Sequence, residues 1–265
     1  MNAPIQSADL MPQTVEFKLN DQRVQAYEGE SILKAAQRHG VDIPHLCYKD
    51  GLRADGNCRA CVVEIKGERT LASSCCRTAT AGLEVLVSDR AIKSQKMVLE
   101  MLLSDMPDVG YKWNDAASVS SASSLAAATG DTLGSSCGEP KSSPSVSPIA
   151  AGVGESGALN QHGELSDWAS RLNVSVRPEL RALRREQPVC DVSHPAMTVN
   201  LDACIQCNRC VRACREEQVN DVIGYAHRGA HSQIVFDLND AMGNSSCVAC
   251  GECVQACPTG ALMPK

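Results

Sequence analysis

Alternating apolar and polar positions begin at residue 14. In Thr14–Leu19 every second side chain is apolar, and Arg23–Tyr27 alternates again after the Asn20-Asp21 pair. Period-two alternation that is interrupted by a short turn predicts a β-hairpin. Two further short strands are predicted at Val62–Ile65 and Leu83–Val87. Together these segments indicate a small mixed sheet.

Helical spacing follows the hairpin and recurs after the last strand. Ser31 precedes residues 32–39, in which apolar residues recur three and four positions apart, and Gly40 stands just past them. A capping residue before such a run and a glycine after it are helix start and stop signals. Residues 90–104 have the same spacing without Gly or Pro, so they predict a second helix. Shorter helices are expected at residues 166–172 and 178–185.

The composition changes abruptly in the middle of the chain. Between Ser118 and Ser147, eleven of thirty residues are Ser and three are charged. Such a segment cannot bury enough apolar surface to offset the entropy cost of ordering it, so we predict a flexible linker over residues 114–160. The predicted organisation is α+β, with a domain at residues 13–89, a connecting helix at 90–113, the linker, a helical connector at 161–195 and a second domain at 196–265.

Charge and composition exclude several classes of protein. The net charge of -6 does not suggest nucleic-acid binding. No apolar run approaches the ~20 residues that a membrane span requires, and residues 1–13 do not resemble a secretory signal, so a cytoplasmic protein is expected. Aromatic residues make up only 3% of the chain, whereas there are 15 Cys. In a reducing compartment, that many cysteines favour metal binding over disulfides.

Eight cysteines between residues 204 and 257 lie in two runs of equal spacing. Each run follows the pattern CxxCxxCxxxC, and the second run is followed by Pro258. This is the bacterial ferredoxin spacing, in which three cysteines of a run bind one 4Fe-4S cluster and the fourth binds the other. The pattern predicts two 4Fe-4S clusters, one held by Cys204, Cys207, Cys210 and Cys257 and the other by Cys247, Cys250, Cys253 and Cys214.

Two zinc sites are the alternative for these runs, because paired CxxC units also bind Zn. Two complete runs with the closing proline fit the 4Fe-4S pattern better. Small residues between the ligands, such as Ala249 and Gly251, should let backbone amides approach the sulfurs. Hydrogen bonds of this kind tune the reduction potential of a cluster.

Four cysteines near the N-terminus indicate a third cluster. Cys47, Cys58, Cys61 and Cys75 follow the first predicted helix, and plant-type 2Fe-2S ferredoxins likewise place three cysteines in a loop and a distant fourth. We therefore predict a β-grasp 2Fe-2S module. Successive side chains diverge, so Cys76 is expected to be a buried thiol and not a second ligand at that position. The remaining cysteines, Cys137 and Cys190, are predicted to be unliganded.

The ten-residue gap after Cys47 resembles the ferredoxin module at the head of three electron-transfer subunits. These subunits belong to respiratory complex I, NAD-reducing hydrogenases and NAD-dependent formate dehydrogenases. Four further segments, Ser193–Met197, Cys204–Cys207, Arg212–Gly224 and Cys247–Cys253, are most similar to the N-terminal region of the formate dehydrogenase α subunit that contains molybdenum or tungsten. The resemblance covers about residues 14–113 and 190–265.

The resemblance implies a role in electron transfer. In that family these domains connect formate oxidation at a pterin-metal site to a flavin subunit that reduces NAD. The implied partners are a pterin-metal catalytic chain or domain and a flavin/NAD-binding diaphorase chain. No pterin or flavin site is recognisable in this sequence, so the chain is not expected to oxidise formate by itself.

One departure separates the chain from complex I and the hydrogenases. In those relatives the segment after the second helix carries a histidine and three cysteines that bind a further 4Fe-4S cluster. Met106 stands where that histidine would be, and the next cysteine is Cys137, so that cluster is expected to be absent. His194, close to Cys190, is predicted to face solvent. A hydrogenase diaphorase subunit, a complex I relative and a free-standing polyferredoxin carrier are the alternative functions.

Two other features have ordinary interpretations. Gly152–Gly157 fits the dinucleotide fingerprint GxGxxG, but a Pro- and Ser-rich run precedes it and no amphipathic helix follows, so we expect a chance match. Arg177, Arg181, Arg184 and Arg185 form a basic strip. A solvated helix face is the simpler interpretation of this strip, and a docking surface for an acidic partner is the alternative.

Overall fold

The computed structural model describes residues 13–107, 162–185 and 190–265. The predicted linker over residues 114–160, Cys137 and Gly152–Gly157 lie outside these ranges. The chain divides into two compact units, Met1–Leu99 and Glu100–Lys265, each with its own hydrophobic core. Both units combine helices with small β-sheets, which confirms the predicted α+β class.

The first unit is built on a five-stranded sheet. Its strands are β1 (Thr14–Leu19), β2 (Gln22–Tyr27), β3 (Val62–Ile65), β4 (Ala72–Ser73) and β5 (Glu84–Leu86), and their order is β2-β1-β5-β3-β4. Strand β1 is parallel to β5, and the other neighbouring strands are antiparallel. The pattern did not predict β4, because a strand of two residues has no periodicity.

The β1–β2 hairpin turns at Asn20 and Asp21. Their φ angles are 49° and 65°. Positive φ at both central residues is typical of a type I′ turn, which Asn and Asp tolerate and which matches the strand twist. The resulting register buries Phe17 and Leu19, which are 0% and 1% exposed.

Helix α1 (Ile32–Arg38) has the predicted boundaries within one residue. The Ser31 hydroxyl accepts the Lys34 N–H at 3.3 Å, and Gly40 lies just beyond the helix with φ 74°. The helix packs against the sheet through its buried residues: Ile32, Leu33, Ala35 and Ala36. It ends at the start of the segment that carries three of the predicted ligands, Cys47, Cys58 and Cys61.

Helix α2 (Asp89–Ser104) matches the second predicted helix. Its Gln95 side chain is buried and donates to the Val62 carbonyl at 2.9 Å, so the helix is anchored to β3. The division between the two units falls inside this helix.

The second unit consists of short elements. They are α3 (Glu164–Arg171), α4 (Pro178–Arg181), β6 (Met197–Val199), α5 (Arg209–Arg212), β7 (Ile223–Ala226), β8 (Gln233–Phe236), α6 (Glu252–Ala256) and β9 (Leu262–Pro264). Strand β6 pairs with β9, and β7 pairs with β8, both antiparallel. A π-helical turn, Ala213–Glu217, continues α5. The strands of this unit have at most four residues and were not predicted, since alternation is too short to detect there.

The arginine strip binds its own chain and, apart from the exposed Arg177, is half-buried, so the predicted solvated helix face is only partly correct. Arg177 donates to the Glu100 carboxylate at 2.7 and 3.2 Å, and Arg181 donates to the Met106 carbonyl at 2.6 Å. The C-terminal end of a helix such as α2 presents unpaired carbonyls and partial negative charge, which bind cations. Helix α4 also ends at Arg181, four residues earlier than predicted.

His194 is buried, so its predicted exposure to solvent is also wrong. The residue is only 4% exposed, and its ring Nδ1 accepts the Ala196 N–H at 3.2 Å. The chain bends at residues 194–196, which brings the ring back to its own backbone. A fold-back of this kind leaves no periodic signal in the sequence.

Candidate metal centres

Four cysteines of the first unit bring their sulfur atoms together. Cys61 Sγ lies 3.3 Å from Cys75 Sγ, and the Cys47 N–H donates to Cys58 Sγ at 3.4 Å. The Cys47 thiol also interacts with the thiols of Cys58 and Cys75. The structure therefore assembles all four residues of the predicted 2Fe-2S site.

Crowding separates the pKa values of these four thiols. Hydrogen bonds from Cys58 and Cys75 hold the pKa of the Cys47 thiol well below its usual range. The hydrogen bond with Cys75 likewise lowers the pKa of Cys61, whereas the same contacts and burial raise the pKa of Cys58 and Cys75. A lowered pKa favours the thiolate, which is the form that binds metal.

The turn after β4 holds the 58–61 loop in place. The Ser74 N–H and hydroxyl both donate to the Cys61 carbonyl, at 3.1 and 2.7 Å. The Ser74 carbonyl in turn accepts the Leu33 N–H of α1 at 3.0 Å. One buried serine therefore connects the cysteine loop to the N-terminal end of the helix.

Cys76 is exposed, so the prediction of a buried thiol is wrong. Its Sγ lies 3.6 Å from Cys75 Sγ. The two sulfurs are therefore in contact, and the divergence expected of consecutive side chains does not occur. Cys75 is buried, whereas Cys76 is exposed.

Two loops of the second unit repeat one backbone conformation. The third and fifth residues of each loop have positive φ: Gln206 (55°) and Asn208 (65°) in the first, Ala249 (58°) and Gly251 (82°) in the second. In both loops the third residue donates its N–H to the first cysteine, Cys204 or Cys247, at 3.4 Å. Equal cysteine spacing has therefore produced equal geometry, including the predicted amide contact at Ala249.

Cys257 lies with the cysteines of the first loop. Cys204, Cys207, Cys210 and Cys257 together line one apolar cavity. Burial raises the pKa of Cys204 to about 11, and the negative charge of Cys257 contributes to that rise. The Thr259 hydroxyl donates to the Ala203 carbonyl at 2.7 Å, which fastens the segment after Cys257 to the start of the loop.

Cys214 lies with the cysteines of the second loop. Burial raises the pKa of Cys253 to about 12, and the negative charges of Cys247, Cys250 and Cys214 add to it. This loop is at the surface: Val248 is 62% exposed, whereas the equivalent Ile205 of the first loop is 9% exposed.

Charged residues near the first loop were missed by the sequence analysis. Arg209 is 3% exposed and donates to the Glu164 carboxylate at 2.6 and 3.0 Å. Arg185 donates to the Cys204 carbonyl at 2.9 Å and also contacts the Asp105 carboxylate. A charged residue between two predicted ligands is a visible signal for Arg209, but nothing in the sequence indicates its partner 45 positions away.

The grouped thiols fit iron-sulfur clusters. Thiolates are the ligands that such clusters use, and two of them on one metal with bonds of about 2.3 Å lie roughly 3.8 Å apart, close to the 3.3 Å between Cys61 and Cys75 sulfurs. Four cysteines from two separate runs line one cavity, which matches the crossed ligand pattern of a double 4Fe-4S ferredoxin. Among the described side chains, no three His, Cys, Asp or Glu groups surround a single metal-ion position.

Two domain families match the chain. Residues 12–89 match the 2Fe-2S iron-sulfur cluster binding domain, and residues 196–258 match the 4Fe-4S dicluster domain. The chain carries two iron-sulfur domains. The predicted N-terminal 2Fe-2S and C-terminal double 4Fe-4S organisation is thereby confirmed, while the individual ligands and the number of clusters stay predictions.

Homologues of this iron-sulfur protein include components of several oxidoreductases. It is 28% identical over 248 residues to the NADP-reducing hydrogenase subunit HndD of Solidesulfovibrio fructosivorans, covering 89% of this chain and 34% of that protein. It is 27% identical over 252 residues to the mitochondrial NADH-ubiquinone oxidoreductase 78 kDa subunit of Candida albicans, covering 95% of this chain and 28% of that one. The chain thus spans about a quarter to a third of the length of these relatives.

A solved structure has a similar fold. A chain in the crystal structure of an NAD+-reducing NiFe-hydrogenase in the H2-reduced state superposes with a TM-score of 0.66, at 23% identity, over 95% of this chain and 87% of the other. No helix in the described ranges is both long and apolar enough to cross a bilayer.

Proposed function

We propose that this chain is an electron relay in an oxidoreductase complex, with three clusters that pass single electrons between redox sites outside it. The 2Fe-2S cluster is bound by Cys47, Cys58, Cys61 and Cys75. One 4Fe-4S cluster is bound by Cys204, Cys207, Cys210 and Cys257, and the other by Cys247, Cys250, Cys253 and Cys214. The observation that carries the proposal is the cavity shared by the first loop and Cys257, a residue of the other run.

The residues around each thiol would set the reduction potential of its cluster in such a relay. Each cluster accepts and returns one electron, at a potential that its hydrogen bonds and exposure set. Backbone N–H groups that donate to Cys204 and Cys247 stabilise negative charge on the sulfurs. Burial of Cys207 and Cys210 limits water at the first site, whereas Cys250 is exposed. The two 4Fe-4S sites therefore differ in their surroundings.

We infer further that the complex is an NAD-dependent formate dehydrogenase, in which the relay joins a pterin-metal chain to a flavin/NAD-binding chain. The support is the resemblance of four segments in the second unit and Met106 in place of a ligating histidine. Formate oxidation and NAD reduction each move two electrons, so single-electron carriers belong between them. A hydrogenase or complex I component is the second candidate, which the homology to HndD and to the 78 kDa protein of Candida albicans favours.

Metal content tests the relay. The chain, prepared without oxygen, is expected to be coloured and to contain about ten Fe. Low-temperature electron paramagnetic resonance (EPR) of the reduced protein should show 2Fe-2S and 4Fe-4S signals. Two or more Zn with little Fe, or a colourless protein after reconstitution with iron and sulfide, would overturn the proposal.

The reductant distinguishes the two candidate complexes. The native complex should be purified through a tag on this chain, its subunits identified, and its clusters exposed separately to formate, H2 and NADH. A formate dehydrogenase reduces the clusters with formate and NADH but not with H2, whereas a hydrogenase reduces them with H2. Reduction by NADH alone identifies a complex I relative. A free monomer without stable partners supports the polyferredoxin carrier instead.

A further inference from the structure

The two 4Fe-4S loops carry opposite charges at one equivalent position. Arg209 precedes the third cysteine of the first loop, and Glu252 precedes the third cysteine of the second. The residues before them, Asn208 and Gly251, both have positive φ, at 65° and 82°. Because the two loops have the same backbone conformation, Arg209 and Glu252 occupy equivalent positions. The two sites therefore differ in the sign of the charge at this position.

Arg209 is a buried cation held by one carboxylate. Its side chain is 3% exposed, and its two terminal nitrogens donate to the two oxygens of Glu164 at 2.6 and 3.0 Å. A bidentate contact fixes the orientation of the planar guanidinium. Burying such a charge without a partner is strongly unfavourable, so Glu164 keeps Arg209 inside the loop.

The charge of Arg209 lies within the first cysteine run. Arg209 immediately precedes Cys210 and follows Cys207 by two positions, and its side chain is buried. Electrostatic interactions are stronger at buried sites because water screens them less. An added electron on a cluster at this position would interact with the same guanidinium.

Glu164 contacts both parts of the chain that form the first site. Its side chain binds Arg209 in the loop, and its own N–H donates at 3.0 Å to the carbonyl of Pro258, the residue after Cys257. Glu164 is the first residue of α3, which is anchored by the buried side chains of Leu165 and Ala169. One residue at the start of a helix is thereby fastened to the loop and to the segment that brings the fourth cysteine.

We propose that Glu164 is a positioning residue that sets the reduction potential of the first 4Fe-4S site by holding and partly neutralising Arg209. The inference rests on the proposed relay function. Reduction adds one negative charge to the cluster, which the guanidinium stabilises and the carboxylate opposes. Removing the charge of Glu164 should therefore raise the potential of this cluster, and removing the charge of Arg209 should lower it.

Three variants of the complete protein test the proposal: Glu164→Gln, Arg209→Gln and the double variant. The midpoint potential of each cluster is measured by redox titration followed by EPR, and the signal of the first site is identified as the one that Cys207→Ser removes. We expect a higher midpoint in Glu164→Gln, a lower one in Arg209→Gln, and a value near wild type in the double variant. The other two clusters should keep their midpoints.

Glu252→Gln is the matched control in the second loop. It removes one negative charge at the equivalent position, so it should raise the midpoint of the second 4Fe-4S cluster and leave the first unchanged. A general effect on protein folding would not shift the midpoint potential of one cluster and leave that of the other unchanged. If Arg209→Gln does not take up the first cluster, Glu164→Gln decides the question alone.

The outcomes separate this inference from the relay itself. A full iron content with an unchanged or lowered first-site midpoint in Glu164→Gln overturns the role of Glu164 and leaves the relay intact. Absence of clusters from the wild-type chain overturns both. Equal shifts at both 4Fe-4S sites would also contradict the inference, because they would show an effect that is not local to Arg209.

Discussion

Gly56 lies directly beneath the thiol of Cys76. A β-carbon at position 56 would be 2.8 Å from Cys76 Sγ, and Gly56 has φ 66°. Position 56 is two residues before Cys58, and Cys76 follows Cys75. This contact therefore joins the two halves of the N-terminal sulfur group, and it requires a residue without a side chain.

Gly56→Ala is expected to weaken the 2Fe-2S site. The alanine would have to adopt a left-handed conformation and displace the Cys76 sulfur, at a combined cost of about 1–3 kcal/mol. We expect less 2Fe-2S EPR signal per chain and faster thermal loss of that signal, with the 4Fe-4S signals unchanged.

Gly82→Ala separates the two costs of this substitution. Gly82 also has positive φ, 77°, but a β-carbon there meets nothing within 4 Å. It should lose less 2Fe-2S signal than Gly56→Ala. Adding Cys76→Ala to Gly56→Ala should restore part of the loss, and equal losses in all three variants would contradict the steric argument.

Local patterns were sufficient to predict much of this fold. Ser31 and Gly40 mark the two ends of α1, and they could be recognised because capping depends on residues a few positions apart. Asn20 and Asp21 likewise specify their own turn. The cysteine spacing is local in the same sense, since a short loop has few ways to direct three sulfurs to one point. These predictions needed no knowledge of distant parts of the chain.

Contacts between distant segments could not be predicted. Glu100 and Arg177 are 77 positions apart, and neither residue differs in the sequence from an ordinary solvated charge. The burial of His194 depends in the same way on a bend that only the folded unit shows. Cys76 was misplaced for a related reason: nothing in the local sequence shows which of two adjacent cysteines is buried.

Gly243→Ala is expected to destabilise the segment that precedes the second 4Fe-4S loop. A β-carbon at Gly243 would lie 2.5 Å from the Ser193 carbonyl oxygen, and the Gly243 N–H donates to the Ser193 hydroxyl at 2.8 Å. Backbone atoms cannot move aside as a flexible side chain can, so we expect a cost of about 1–3 kcal/mol. The midpoint of thermal loss of visible absorbance should fall.

Gly224→Ala is the control for that variant. Gly224 lies in β7 of the same unit, and a β-carbon there meets nothing within 4 Å. Its thermal midpoint should stay close to wild type. A comparable fall in both variants would indicate a general intolerance of alanine in this unit and would contradict the proposed clash with Ser193.

Thr259→Val is expected to destabilise the first 4Fe-4S site. The Thr259 hydroxyl is buried and donates to the Ala203 carbonyl at 2.7 Å. Valine has nearly the same shape but leaves that buried carbonyl without this donor, which costs about 1–3 kcal/mol. Thermal loss of the first-site EPR signal should occur at a lower temperature. Thr198→Val is the control. Thr198 lies in β6 and is only half-buried, so its replacement should have a smaller effect.

Cys257→Ser is expected to remove the same cluster as Cys207→Ser, although Cys257 belongs to the other cysteine run. The reason is that Cys257 lines the cavity of Cys204, Cys207 and Cys210. EPR spectra of both variants, with iron analysis, should lose one and the same 4Fe-4S signal and keep the 2Fe-2S signal. Cys214→Ser should instead match Cys250→Ser, because the negative charge of Cys214 raises the pKa of Cys253 together with the charges of Cys247 and Cys250. If Cys257→Ser matched Cys250→Ser, each run would hold its own cluster and the crossed assignment would be wrong.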